Sequence, residues 1–255
     1  MSAESGPDPT ALARLALDLH RQPDTTAVLE RVVRAAVDEV PGARFAGVTV
    51  IDREGARTPA ASAPVVTAVD SLQYAMNEGP CLAATQETGV IVSADLVVDA
   101  RWPTFGPRAR EHGVRSMMAV QILAEHGLVA ALNLYAPGPD AFGAASEAAA
   151  VPLAIHAGTA LASVRAEANL RTALASRDLI GQAKGILMER NKISADVAFE
   201  LLTRVSQRRH RKLRDVAEQL ADTGELAGPV PHPVLRRPGT PDGAAPGPGI
   251  GDETR

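Results

Sequence analysis

Two groups of side chains have types and spacing that could do chemistry. The first is basic: Arg204, then Arg208, Arg209, His210, Arg211 and Lys212 in succession, then Arg214, with no acid between them. Ser206 and Gln207 lie inside this run, and Lys184 lies upstream of it. Lys and Arg attract phosphate, which sets affinity without reading sequence, while Arg stacking and short polar groups suit unpaired bases. Taken alone, the run also reads as a solvated helix face. The second group is thinner and comprises Cys81, Trp102, Met117 and Met118 as candidates to line a small-molecule pocket. Cys81 near the start of a helix could have a lowered thiol pKa and act as a redox sensor or attachment point. A small buried helix residue is its simpler account. Trp102 suits an anchor between helix and sheet as well as a pocket wall. Met117 and Met118 are adjacent in a strand, so they face opposite sides of it.

Composition restricts what these groups can belong to. The chain has 255 residues, 45% hydrophobic, 22% charged and only 3% aromatic, so a core must be built from Ala, Val and Leu. One cysteine excludes an internal disulfide and a multi-cysteine metal site. Met1 to Pro9 lacks the basic and apolar pattern of a secretory signal, and a cytoplasmic protein is expected. The longest uncharged stretch, Ala148 to Val164, is at the lower edge of membrane-spanning length. It contains Pro152, His156 and Gly158, so a buried or dimer-facing helix is expected there and no membrane contact.

Net charge is −4, but it is unevenly spread. Ser176 to Asp222 holds ten Lys/Arg against seven Asp/Glu, a net +3, whereas residues 1–175 hold 13 against 19, a net −6. A basic module follows an acidic one. From Gly228 about half the residues are Pro or Gly, and residues 223–255 read as a disordered tail.

The elements that must position these groups follow from periodicity. Leu12, Leu15 and Leu19, then Val28, Leu29, Val32, Val33, Ala36 and Val37, predict two amphipathic helices, the second capped by Asp24. Strands are predicted at Phe45 to Ile51, Val90 to Ser93, Ser116 to Leu123 and Leu128 to Tyr135, with a weaker one at Ser62 to Val69. The last two full strands should form a hairpin turning at Glu125, His126 and Gly127. Short helices fit Pro80 to Glu87 and Pro103 to His112. An antiparallel sheet with helices on one face is the economical arrangement. A long helix then runs from beyond Phe142 almost to Arg190. Its stripe of Val164, Ala168, Ala175, Leu179, Ala183 and Ile186 is either a homodimer seam, which we expect, or the packing of a terminal helix on its own sheet. Two shorter helices follow, the first capped by Ser194, and the three should form a small bundle.

Ile180-Gly181-Gln182-Ala183-Lys184-Gly185-Ile186-Leu187-Met188, then Ala198-Phe199, Leu202, Ser206-Gln207 and Lys212-Leu213-Arg214-Asp215-Val216-Ala217, resemble an ANTAR domain, the RNA-binding antitermination module of bacterial regulators. His210 stands where the family usually has Asn, a place where Asn could cap the last helix and His caps less well. Glu78-Gly79-Pro80-Cys81, Asp95-Leu96, Arg101-Trp102-Pro103 and Gly113-Val114-Arg115-Ser116 resemble a GAF domain of the kind fused to ANTAR domains in actinobacteria.

The resemblance implies an α+β GAF-like domain, an antiparallel sheet with helices, joined by a long and possibly coiled-coil helix to an all-α three-helix ANTAR bundle. Residues 1–23 form an N-terminal extension or helix, 24–167 the sensor and 168–222 the ANTAR module. It further implies a homodimer that binds paired hairpin loops in nascent transcripts and prevents a terminator from forming. RNA-binding candidates are Lys184, Arg204, Ser206, Gln207, Arg208, Arg209, Lys212 and Arg214. The GAF-like domain would sense a small molecule or a redox signal, and the sequence assigns no cofactor. No His follows Cys81, so the usual bilin-attachment pattern is absent, and so is the Asn-Lys-Phe-Asp-Glu signature of cyclic-nucleotide GAF domains. His112, His126 and His156 read as turn or helix-face residues, and no haem ligand is expected. Catalysis is not expected either, because no phosphate-binding loop, nucleophile elbow or kinase motif is present. The rivals are a DNA-binding regulator and a sensor that binds only protein. The first fits poorly, because the basic residues gather at a helix end rather than on the N-terminal turn of a recognition helix.

Overall fold

The computed structural model describes residues 9–86, 89–123 and 129–226. The expected tail, apart from its first residues, and the hairpin turn at 125–127 lie outside them. Contacts divide the chain into two units, the first ending at Thr172 and the second beginning at Ala173.

In the first unit, α1 (Pro9–His20) and α2 (Thr25–Glu39) precede β1 (Phe45–Asp52) and β2 (Gly55–Ala61). Asp24 caps α2, its Oδ1 accepting the Ala27 N–H at 2.9 Å. Then come α3 (Pro64–Met76), α4 (Pro80–Gln86), β3 (Val90–Ser93), α5 (Phe105–Glu111), β4 (Ser116–Leu123) and β5 (Val129–Ala136). The five strands are antiparallel in the order β2-β1-β5-β4-β3, so β5 is central. The β4–β5 pair is the expected hairpin, in unbroken register from Ser116 opposite Ala136 to Leu123 opposite Val129.

The sheet is covered on both faces, which corrects the expectation of helices on one. Val48, Val50, Met118, Val120, Leu132 and Leu134 pack with Leu19, Leu29, Val32 of α1 and α2 and with Leu153, Ala157 and Leu161. The alternate residues, Met117, Ala119, Ala131 and Tyr135, pack with Val66, Val69, Cys81, Trp102 and Phe105 of the other face. The sequence held a sign of this, since β1, β4 and β5 are nearly continuous apolar runs rather than clean alternations. The strand expected at Ser62 to Val69 is also corrected. Pro64 starts a helix there, and Val66, Val69, Asp70 and Gln73 form its buried side at helical spacing. The second strand lies upstream, at Gly55–Ala61.

Helix α6 (Ala144–Asn191) runs from the first unit into the second. It is long and apolar enough to cross a membrane by length and composition, yet Ala150, Leu153, Ala154, Ala157, Ala160 and Leu161 are buried in the sheet core. In the second unit, the end of α6, α7 (Ala195–Arg209) and α8 (Leu213–Thr223) enclose Ala183, Leu187, Ala198, Leu201, Leu202, Val216, Ala217 and Leu220. Part of the expected stripe is used within the chain itself, while Ala168 and Ala175 stay exposed. Ala183 is buried in that core and Leu179 and Ile186 pack against it, while Val164 packs on the sheet core.

Candidate functional site

Helix α3 carries two polar residues on its buried side, Asp70 and Gln73, and these organise the second face of the sheet. The Asp70 carboxylate accepts hydrogen bonds from Tyr135 Oη, from Thr58 Oγ1 at 2.7 Å and from Gln73 Nε2 at 3.0 Å. The Tyr74 hydroxyl is 2.7 Å from Thr58 Oγ1 and 2.8 Å from Thr49 Oγ1. Asn133 Nδ2 donates to Thr49 Oγ1, whose hydroxyl reaches Cys81 Sγ at 3.6 Å. Gln73 Oε1 accepts the Cys81 backbone N–H at 3.0 Å, which ties α4 to α3. Asp70, Gln73, Thr49, Asn133, Cys81 and Tyr135 are wholly buried.

Burial without a cation sets the titration of this cluster. Desolvation raises the Asp70 carboxyl from its usual 3.8 to about 6, against the three hydrogen bonds that favour the ionised form. Burial, then the nearby Asp70 charge, pushes the Tyr135, Tyr74 and Cys81 protons on more firmly. The lowered thiol pKa considered for Cys81 is therefore reversed.

Around this cluster the remaining polar groups form a frame. Glu78 Oε2 accepts the N–H groups of Thr104 and Phe105, at 3.1 and 3.0 Å, and so caps the start of α5 from a distant turn. Arg115 pairs with Asp95, whose carboxyl is held below its usual range first by that hydrogen bond. Asp99 accepts from Ser93 and Arg101 and titrates near 2, with Arg101 the main cause. Arg101 also lies 4.2 Å over the Trp102 ring and donates to Val92 O at 2.6 Å. Gly106 is needed because a Cβ there would meet Leu96 O at 1.8 Å.

In the second unit, Ser194 caps α7, accepting the Val197 N–H at 3.4 Å. His210 ends α7 in the left-handed region, φ 51°, and Lys212 precedes α8 without a side-chain cap. This corrects the role expected of position 210: it closes α7 rather than capping α8, and Asn suits it because Asn tolerates positive φ. Ser206 Oγ donates to Arg211 O at 2.6 Å across that turn, and Arg211 Nη1 donates to Gln219 Oε1 at 2.6 Å.

A GAF domain model matches residues 22–162, more than half of the chain. The chain belongs to the GAF domain family. An ANTAR domain follows, matched over residues 168–220. Among curated proteins none matches. Of solved structures, the GAF domain of a Coxiella burnetii phosphoenolpyruvate-protein phosphotransferase is 19% identical with a TM-score of 0.50, over 63% of this chain and 95% of that one. A bacteriophytochrome from R. palustris is 11% identical with a TM-score of 0.58, over 79% of this chain and 47% of that one. The photosensory core module of the Stigmatella aurantiaca phytochrome is 11% identical with a TM-score of 0.55, over 80% and 46%. At these identities the likeness is one of fold. GAF and ANTAR domains are sensor and regulatory modules.

The GAF domain brings Cys81, Trp102 and Met117 to one face of its sheet. Met118 lies in the core of the other face, separated from them by the sheet. Open hollows of about 680 and 360 Å³ meet at Ala61 and Ser62, and none of the four pocket candidates lines either. The residues that carry the GAF resemblance, Glu78, Asp95, Arg101 and Arg115, form the frame. The face they frame has its polar centre in Thr49, Thr58, Asp70, Gln73, Tyr74, Asn133 and Tyr135, which sequence reasoning missed; the available signal was Asp70 and Gln73 at helical spacing with Val66 and Val69.

The ANTAR candidates do not form a single patch. Arg204 and Arg208, four apart, share one face of α7, and Arg204 pairs with Glu200 at 3.3 Å. Ser206 and Gln207 lie on another face, in line with Phe199 and Thr203. Gln207, Arg208, Arg209 and Lys212 are exposed, Arg214 is half-buried, and Lys184 on α6 has its Nζ 5.9 Å from the Phe199 ring centroid. Gly181 and Gly185 have open space where a Cβ would be, so they do not mark close packing within the chain. Among the described residues no cluster of His, Cys, Asp and Glu could hold a metal ion.

Proposed function

We propose that this protein is a signal-responsive transcription antitermination regulator: its ANTAR domain binds paired hairpin loops in nascent mRNA, and its GAF domain controls that binding. The observation that carries the reading is the exposed cationic turn between α7 and α8, with Arg208, Arg209 and Lys212 at the surface of a matched ANTAR domain. The net +3 of that module attracts phosphate while the net −6 of residues 1–175 repels it, which directs RNA to one end of the chain. The signal is a small molecule rather than a thiol oxidant, because the sole cysteine is buried with its proton held firmly. The working species is a cytoplasmic homodimer. Its seam uses the large apolar side chains that α6 leaves exposed, Leu170 (62%) and Leu174 (54%), which share a face one turn apart, with Ile155 exposed further up the helix. Sequencing of RNA crosslinked to the protein in its own cell tests the reading: enrichment of tandem hairpins ahead of terminators supports it, and crosslinks confined to duplex DNA or an absence of RNA would overturn it.

A further inference from the structure

Phe199 is the only aromatic residue between positions 168 and 226, and it is 43% exposed on α7. It takes no part in the apolar core that Leu201, Leu202 and Ala198 help to fill. Lys184 reaches it from α6, with Nζ 5.9 Å from the ring centroid. Thr203 and Ser206, four and seven residues on, continue the same face of α7. Their hydroxyls bond backbone carbonyls, Thr203 to Phe199 O at 2.9 Å and Ser206 to Arg211 O at 2.6 Å, so the face leads into the basic turn as a fixed surface.

We infer that Phe199 and Lys184 form a stacking platform for one unpaired base of the bound RNA, an inference that rests on the RNA reading above. An exposed ring offers a flat apolar surface to any base, and the ammonium beside it meets the phosphate of the same nucleotide. Charge selects the occupant. A second copy docked ring to ring would bring Lys184 against its own equivalent, and an apolar partner would leave that ammonium without a counter-charge; a nucleotide satisfies both groups.

The test uses the full chain and two labelled RNAs. One has two short hairpins in tandem with randomised loops, and the other is the same RNA annealed to its complement, so that no base is unpaired. Phe199→Leu should weaken binding to the hairpin RNA roughly tenfold, with an unchanged salt slope and unchanged duplex affinity, and Phe199→Tyr should restore the hairpin affinity. Wild-type hairpin affinity in Phe199→Leu would overturn the platform and leave the RNA reading standing. Equal weakening on both RNAs would make the ring a support of the fold. Dissociation of the Phe199→Leu protein in light scattering would make it a contact between copies. If the wild type binds neither RNA, the RNA reading fails and the platform with it.

Discussion

The two units handle their polar chemistry in opposite ways. The GAF domain buries a carboxyl, a phenol, two amides and a thiol at the centre of one sheet face, with a second phenol half-buried beside them, whereas the ANTAR domain leaves Arg208, Arg209, Arg211 and Lys212 exposed around the turn between α7 and α8. Buried polar groups respond to small changes, since an unpaired one costs about 1–3 kcal/mol. Exposed cations respond to charge and salt. A sensor is suited by the first arrangement and a nucleic-acid reader by the second.

Four changes would break or sharpen that contrast. The largest concerns the surface of α6. Leu170→Lys with Leu174→Lys should convert a dimer to monomers in light scattering, because each Leu buried in a seam contributes about 1.5–3 kcal/mol and each copy supplies both; an unchanged dimer would show that α6 displays these side chains to water. Next, Arg208→Ala, Arg209→Ala and Lys212→Ala together should make the negative slope of log affinity against log salt shallower by about 2–3 and weaken binding to a tandem-hairpin RNA by orders of magnitude at physiological salt. Circular dichroism should show the variant folded, because Leu202, Leu220 and Val216 hold the bundle.

The third tests the buried side. Asp70 titrates at about 6 in the fold and near 3.8 when unfolded, so the fold binds the proton more tightly. Stability should rise as pH falls through 6 and reach its full gain, about 3 kcal/mol, only below the unfolded value of 3.8, and that gain should be lost as pH climbs back above 6. Urea denaturation of the wild type and of Asp70→Asn across this range measures it. A pH slope shared by both proteins would remove Asp70 as its source. The smallest effect is expected at position 210, where His210→Gly should raise the thermal midpoint of the second unit by the equivalent of about 0.5–1 kcal/mol, because glycine adopts positive φ without strain. A lower midpoint would mean that the His210 ring contributes more than its backbone costs.

How far all this was legible depended on which residues spoke to backbone and which to partners. Val90–Ser93 and Ser116–Leu123 were located to the residue, and the Asp24 and Ser194 caps held, because local periodicity and capping are written in adjacent residues. The Val65, Val66 and Val69 group misled toward a strand, since β-branched residues favour one until the helix they start is packed. β2 was missed because Gly55 to Ala61, with Pro59, has Thr58 as its only strand-favouring side chain and relies on β1 for its pairing. The α6 stripe was real, but it divides: Leu179, Ala183 and Ile186 pack in the chain's own bundle, Val164 packs on the sheet core, and Ala168 and Ala175 stay exposed, a division that no spacing along one helix contains. The polar cluster escaped for the same reason: Asp70 and Tyr135 are neighbours only after the sheet has formed.

The Arg101 guanidinium on Val92 O has a consequence for how the protein behaves when crowded. β3 is an edge of the sheet, and an edge strand with open carbonyls is a template for another molecule's strand. Arg101 occupies one of those carbonyls and places a charge beside it, while at the opposite edge Pro59 in β2 withholds a backbone N–H. Each margin of the sheet thus carries one feature that disfavours strand addition, a charge beside β3 and a proline in β2.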